Sequence, residues 1–341
     1  MEELLPTARV KTISYQLLRD GHLNEALKLL DACREDGLFY LDMEGAALNI
    51  QEAIEEIFTL EEKLFALPED EKMQFDIDKL SPRKLNGYKP TGRNRGEIAG
   101  NRDGFESYAL PKDGILGLTE SAFPRPPIVD AYMPALRTFT RGVSAAASII
   151  LSSLSTSLSL PPDSSLQNVH RTQRTTPDLI RLLKYQSLPI SERGASHIPH
   201  TDLGSMTFLH TRQPGLEILS SKTNVWESVK PLAKHAIVNL GDGLVLLSNG
   251  YFHSCLHRVK APPGEAMQER YSFAYFLRAE DETPMRPMKA LQNLTSKKES
   301  VQEEKAVLTS AEWLQRKYLS LRGNTWKKEN SWMLTAGRQV K

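Results

Sequence analysis

The sequence predicts an α+β protein in which helices flank an all-β core, and three features of the chain lead there. Apolar residues recur at helical spacing between residues 23 and 66, and again from about Val129 to Leu158. From Leu179 the pattern changes to short apolar segments cut by Gly, Pro, Asn or Lys-rich turns, the signature of a sandwich or barrel. Helical spacing returns after about Glu280. The 341 residues are read as one domain spanning 1–340, with a mainly helical part at 1–160, a β core at 179–280 and a helical extension at 281–341.

In chain order, VKTISYQLL (10–18) has strand-like β-branched content. Leu23, Ala26, Leu27, Leu30 and Cys33 then mark a helix closed by Gly37. GLFYLD reads as a short buried strand. Residues 50–66 form a second amphipathic helix, apolar at Ile54, Ile57, Phe58 and Leu64 and broken by LPEDEK. Residues 81–128 are rich in Gly and Pro and are expected to be loops at the mouth of a pocket. A long helix is expected from Val129 to Leu158. The β segments are LIRLLKYQSL, HTDLGSMTFLH, GLEILS, WESVK, AIVNLGDGLVLLSNG, FHSCLHRVK and RYSFAYFLRA. In the tail, SAEWLQRKYLSLR puts Trp313, Leu314, Tyr318 and Leu321 at helical spacing.

Composition narrows the function. Lys+Arg of 43 against Asp+Glu of 42 leaves a formal charge of +1, so nothing electrostatic calls for nucleic acid or an anionic membrane as partner. A small-molecule substrate is the expectation. Two distant cysteines, Cys33 and Cys255, make neither a disulfide framework nor a cysteine zinc site. MEELLPTARV lacks the basic-then-apolar order of a secretory signal, and SAAASIILSSL falls short of the roughly 18 apolar residues of a membrane span. The protein is therefore expected to be cytoplasmic, a monomer or weak dimer.

The chemistry concentrates in HIPHTDLGSMTFLH (197–210). In a strand, His200 and Asp202 project from one face, and a buried Asp is costly without a partner. A metal is one solution, and His257, 55 residues after Asp202, is the third candidate ligand. Two imidazoles and one carboxylate form the facial triad that suits non-haem Fe(II). A zinc hydrolase would need a general base, and no H-E-x-x-H is present. In RYSFAYF, Arg270, Ser272, Ala274 and Phe276 alternate onto one face, offering a guanidinium fork and a hydroxyl to an anionic co-substrate with a distal carboxylate. By the same facing argument Phe276 lines the substrate pocket.

The ordered set H-T-D, 54 residues, H, then R-Y-S resembles the isopenicillin N synthase-like group of 2-oxoglutarate and Fe(II)-dependent oxygenases. DGLFYLD, GFESYAL and VNLGDGLVLLSNGYFHSCLHRV resemble further segments of that family, so the likeness runs from about residue 10 to 325. It implies a double-stranded β-helix (jelly-roll, cupin-like barrel) with flanking N- and C-terminal helices. His200, Asp202 and His257 match the iron ligands, Arg270 and Ser272 the pair holding the far carboxylate of 2-oxoglutarate, and Tyr185 a tyrosine that contacts the co-substrate. The family's usual Asn two places before that tyrosine is Leu183 here. Leu203 and Phe208 join Phe276 as pocket candidates. The resemblance implies Fe(II), 2-oxoglutarate and O2 as cofactors, with oxidative decarboxylation of 2-oxoglutarate coupled to oxidation of a substrate C–H bond. Hydroxylation is the default outcome, with desaturation or ring formation as variants. The loop GYKPTGRNRGEIAGNRDGFE and the C-terminal helices resemble fungal members that act in specialised metabolism. Two alternatives stand beside this: an iron oxidase of the same fold that does not use 2-oxoglutarate, and a non-catalytic ligand-binding protein. His22, His170, His197, His210, His235 and His253 are read as structural, Cys255 as a buried hydrophobe, and Arg93, Arg95 and Arg102 as solvated loop residues.

Overall fold

The structure, a computed structural model, describes residues 5–46, 48–81, 83–94, 102–120, 123–187, 197–261, 266–295 and 307–321. The first half contains β1 (Thr12–Ser14), α1 (Tyr15–Arg19), α2 (Leu23–Glu35), β2 (Leu38–Asp42), α3 (Ile50–Phe65), α4 (Glu69–Met73), α5 (Ile77–Leu80), β3 (Gly87–Lys89), β4 (Phe105–Pro111), α6 (Lys112–Leu116), α7 (Pro127–Ala131) and α8 (Met133–Ser157). The second contains β5 (Leu179–Tyr185), β6 (His197–His200), β7 (Met206–Thr211), β8 (Leu216–Leu219), β9 (Trp226–Val229), β10 (His235–Leu240), α9 (Asp242–Leu247), β11 (His257–Val259), β12 (Arg270–Leu277) and α10 (Ser310–Leu321).

These strands form two sheets, as a jelly roll requires. The larger runs β1-β2-β10-β7-β12-β5-β4-β3 and the smaller β6-β11-β8-β9. Both faces of the large sheet are covered. Along β12, Phe273, Tyr275 and Leu277 point outward and bury against α3 and α8 in the main apolar core, while Arg270, Ser272, Ala274 and Phe276 point between the sheets. The outward residues of β2, β10, β7 and β5 follow the same parity: Phe39 and Leu41, Val238 and Leu240, Met206 and Phe208, Ile180 and Leu182 all belong to that core.

Several local expectations change. Only Thr12–Ser14 of VKTISYQLL is strand: the Ser14 hydroxyl accepts from Leu17 N–H at 3.3 Å and caps α1. On α2 the buried stripe is Leu29, Leu30, Ala32 and Cys33, whereas Leu23 and Leu27 are exposed. The long helix divides at Tyr132 into α7 and α8, because Pro134 has no N–H to give the carbonyl of Asp130. The segment expected to be loops holds β4, a seven-residue strand in the large sheet; its charged Glu106 is buried against Lys72 at 2.7 Å and Tyr88 at 2.7 Å. DGLVLL is the helix α9, not a strand. In the tail, α10 forms and Leu314 is buried, while the side chains of Tyr318 and Leu321 lie outside the described residues.

Candidate metal centre

β11 pairs antiparallel with β6 so that His257 stands opposite His200, and their ring centroids are 4.3 Å apart. Each imidazole is oriented by the carbonyl two residues before it: His200 Nδ1 lies 2.7 Å from the Ile198 oxygen, and His257 Nδ1 3.0 Å from that of Cys255. A carbonyl only accepts, so Nδ1 carries the proton in both rings and each Nε2 keeps its lone pair. β6 ends at His200, so Asp202 is not a strand neighbour of it as the spacing suggested. Asp202 follows just beyond the strand end, with its Oδ1 3.9 Å from His200 Nε2. One ligand atom from each of His200, Asp202 and His257 lies within 4.8 Å of the others.

Asp202 is fixed from two sides. Its Oδ2 accepts from Thr207 Oγ1 at 2.6 Å and Asn239 Nδ2 at 2.7 Å, which leaves Oδ1 facing the imidazoles. Its carbonyl accepts from Asp242 N–H at 2.8 Å, at the start of α9. Gly241 makes that approach possible: a Cβ there would stand 2.3 Å from the Gly204 oxygen and 2.8 Å from the Asp202 oxygen.

The charges suit a cation. Burial pushes the Asp202 carboxyl up, but His257, His200 and the bonds from Asn239 and Thr207 outweigh it and hold the group below its usual value. Burial, followed by the neighbouring His257, pushes His200 down to about 4, so its ring is a neutral donor at neutral pH. Two imidazoles and one carboxylate on one side of a point are the donor set that suits Fe(II) with positions left open for other ligands.

The wall beside the triad is β12. Arg270 is 2% exposed; its Nε donates to the Pro214 carbonyl at 3.1 Å and its Nη1 to Ser272 Oγ at 3.0 Å, while its Nη2 has no partner among the described residues. A buried guanidinium N–H without an acceptor is a group waiting for an anion. Tyr185 pairs with Arg270 across the strands and its ring lies 5.0 Å from the guanidinium. Burial pushes its hydroxyl up to about 12.

One cavity joins these residues: His200, Asp202, His257, Arg270, Ser272, Tyr185 and Phe276 all line it, together with Leu183. Phe208 does not. It sits on the opposite face of β7, fully buried against the helices, because Thr207 and Leu209 are the inward residues of that strand. Leu203 lies in the bend after Asp202, outside the cavity lining. Of the histidines read as structural, His170 bonds Leu166 and Ser205, His210 packs on Phe273 and Phe139, and His235 bonds Ala233. His197 differs: its ring stacks on His200 at 4.2 Å and lies tilted against Phe105 at 4.6 Å. Cys255 is buried, and burial pushes its thiol up to about 12. Arg93 is paired with Asp76 at 3.2 Å, Arg102 is exposed, and Arg95 lies outside the described residues. The reading of single residues missed Thr207 and Asn239, although each is a polar residue at an inward position of its strand.

Comparison with known proteins agrees with this geometry. Residues 176–279 match the family model described as 2OG-Fe(II) oxygenase superfamily, and residues 10–119 match that described as non-haem dioxygenase in morphine synthesis N-terminal. The chain is 31% identical over 280 residues to the 2-oxoglutarate-dependent dioxygenase gloE of Glarea lozoyensis, covering 81% of each. It is 32% identical over 280 residues to the 2-oxoglutarate-dependent dioxygenase frbH of Dothideomycetidae sp., covering 82% of this chain and 85% of that one. The fold matches the crystal structure of Neurospora crassa T7H in complex with alpha-KG, with a TM-score of 0.74, 20% identity and coverage of 93% and 99%. It also matches JOX2 in complex with 2OG, Fe and JA, with a TM-score of 0.71, 23% identity and coverage of 98% and 92%. The chain belongs to the 2-oxoglutarate and Fe(II)-dependent oxygenases, and it is a non-haem dioxygenase of that superfamily.

Proposed function

We propose that His200, Asp202 and His257 hold Fe(II), that Arg270 and Ser272 hold the far carboxylate of 2-oxoglutarate beside Tyr185, and that the enzyme oxidises a C–H bond of a small-molecule natural-product intermediate. The observation that carries the co-substrate assignment is the unpartnered Nη2 of the buried Arg270 in the cavity that holds the triad. Bound iron and 2-oxoglutarate would supply the oxidising power, the co-substrate being decarboxylated to succinate as oxygen reaches the substrate. The chain's own residues do the rest. Thr207 and Asn239 aim Asp202, the Ile198 and Cys255 carbonyls aim the two imidazoles, and Leu183, Leu209 and Ala274 keep the cavity wall apolar. The names of gloE and frbH support 2-oxoglutarate as co-substrate, and the thymine in a further T7H complex supports a small-molecule substrate. We assign residues 1–340 to one oxygenase unit acting as a cytoplasmic monomer or weak dimer; no described helix is long and apolar enough to cross a membrane.

The test is anaerobic titration of metal-free protein with Fe(II) and then 2-oxoglutarate. A weak visible charge-transfer band that appears only with both ligands, and succinate release once oxygen is admitted, are the expected results. Iron binding without the band would favour the oxidase that does not use 2-oxoglutarate. No iron binding would overturn the assignment of the triad.

A further inference from the structure

Arg181 is a cation that the site described above does not use. On β5 it pairs across the strands with Ala274 of β12 and Ala109 of β4, so it faces between the sheets with Leu183 and Tyr185. Its two flanking partners are alanines, which leave the long side chain unobstructed. Leu183 and Tyr185 are buried, but Arg181 is only partly so, and solvent therefore reaches this end of the strand.

Other arginines of the fold are neutralised: Arg93 by Asp76, Arg171 by Glu280 and Arg258 by Glu217. Among the described residues no carboxylate pairs with Arg181. Its guanidinium instead lies 5.3 Å from the ring of Phe276, which lines the iron-side cavity, and Arg278, tied to the Pro177 carbonyl, holds the ring from 5.5 Å.

We infer that Arg181 and Phe276 form the substrate anchor, and that the substrate carries a carboxylate joined by a short spacer to an apolar, planar body. The carboxylate pairs with the Arg181 fork while the body lies against Phe276, which holds a nearby C–H toward the triad. The inference rests on the function proposed above, since Arg270 must be committed to 2-oxoglutarate for Arg181 to serve the substrate. A charge-assisted pair in a partly desolvated site makes about a ten- to hundredfold difference in affinity.

The test uses probes of stated chemistry: phenylalkanoic acids with one to six methylenes and their matched primary amides. Their binding is measured by calorimetry to wild type, Arg181→Gln and Arg181→Lys, under anaerobic conditions with Fe(II) and 2-oxoglutarate bound. At least one acid is expected to bind wild type tenfold or more above its amide. Arg181→Gln should abolish that preference, Arg181→Lys should restore part of it, and the 2-oxoglutarate band should keep its wild-type midpoint in both variants. Equal binding of acids and amides by wild type, no binding by any acid, or an unchanged preference in Arg181→Gln would overturn the inference. A band lost in Arg181→Gln would place this residue in the co-substrate site and overturn it as well. A band absent from wild type refutes the proposed function instead.

Discussion

Asn239→Ala removes one of the two donors on Asp202 Oδ2 and leaves all three proposed ligands in place. Donors of this kind change metal affinity by about 10- to 100-fold, or about 1.4–2.7 kcal/mol. Thr207 stays at 2.6 Å and still restrains the carboxylate, so the single change should cost about tenfold and the pair Asn239→Ala with Thr207→Val about a hundredfold. Chelator-competition titration of Fe(II) under anaerobic conditions measures the loss, with circular dichroism confirming the fold. Affinity within twofold of wild type would refute the orienting role.

Arg270→Ala should raise the dissociation constant for 2-oxoglutarate by about a hundredfold or more while iron affinity stays unchanged, read from the midpoint of the charge-transfer band; parallel loss of iron binding would contradict the division of labour. Gly241→Ala puts a methyl 2.3 Å from one backbone oxygen and 2.8 Å from another, so both stability, by about 1–3 kcal/mol in urea, and iron affinity should fall; a wild-type urea midpoint would refute the close approach. Burial pushes His210 down to about 3, so between about pH 3 and 6.5 the unfolded chain binds one more proton at this residue, and stability rises with pH there. His210→Phe keeps the stack on Phe273, and it should flatten the stability profile of metal-free protein by up to about 1.4 kcal/mol per pH unit; an unchanged slope between pH 4 and 6 would count against burial as the cause.

The clustering of His200, Asp202 and His257 was legible because each declares itself by residue type, and the H-x-D, H and R-x-S order survives whatever the backbone does between them. The route to that cluster was less sound. Counting His200 and Asp202 as strand neighbours ignored that β6 ends at His200, and carrying the count on ignored the bend at Gly204, after which β7 begins only at Met206. A strand counted from Asp202 gives Phe208 the parity of that carboxylate; the bend resets that count, and Phe208 turns to the helices. β4 was hidden for a different reason. Glu106 looks like a loop residue until Lys72, distant in sequence, is packed against it. α9 was ambiguous because a short apolar run carries no period long enough to separate helix from strand.

A signal that would have found the rest is present in the strands themselves. Where both faces of a sheet are buried, an ordinary strand is apolar at every position, so a polar residue at alternate positions needs a reason. In β7 that residue is Thr207, in β10 Asn239, in β12 Arg270 and Ser272, and in β5 Arg181. These five fall on the inward face, opposite the parity that fills the apolar core, whereas His210 of β7 is a buried polar residue of the outward face, packed on Phe273 and Phe139. Four of the five line the cavity or bond Asp202. Arg181 obeys the same rule, stands against Phe276 and has no carboxylate among the described residues, which is why its partner should be sought in the substrate.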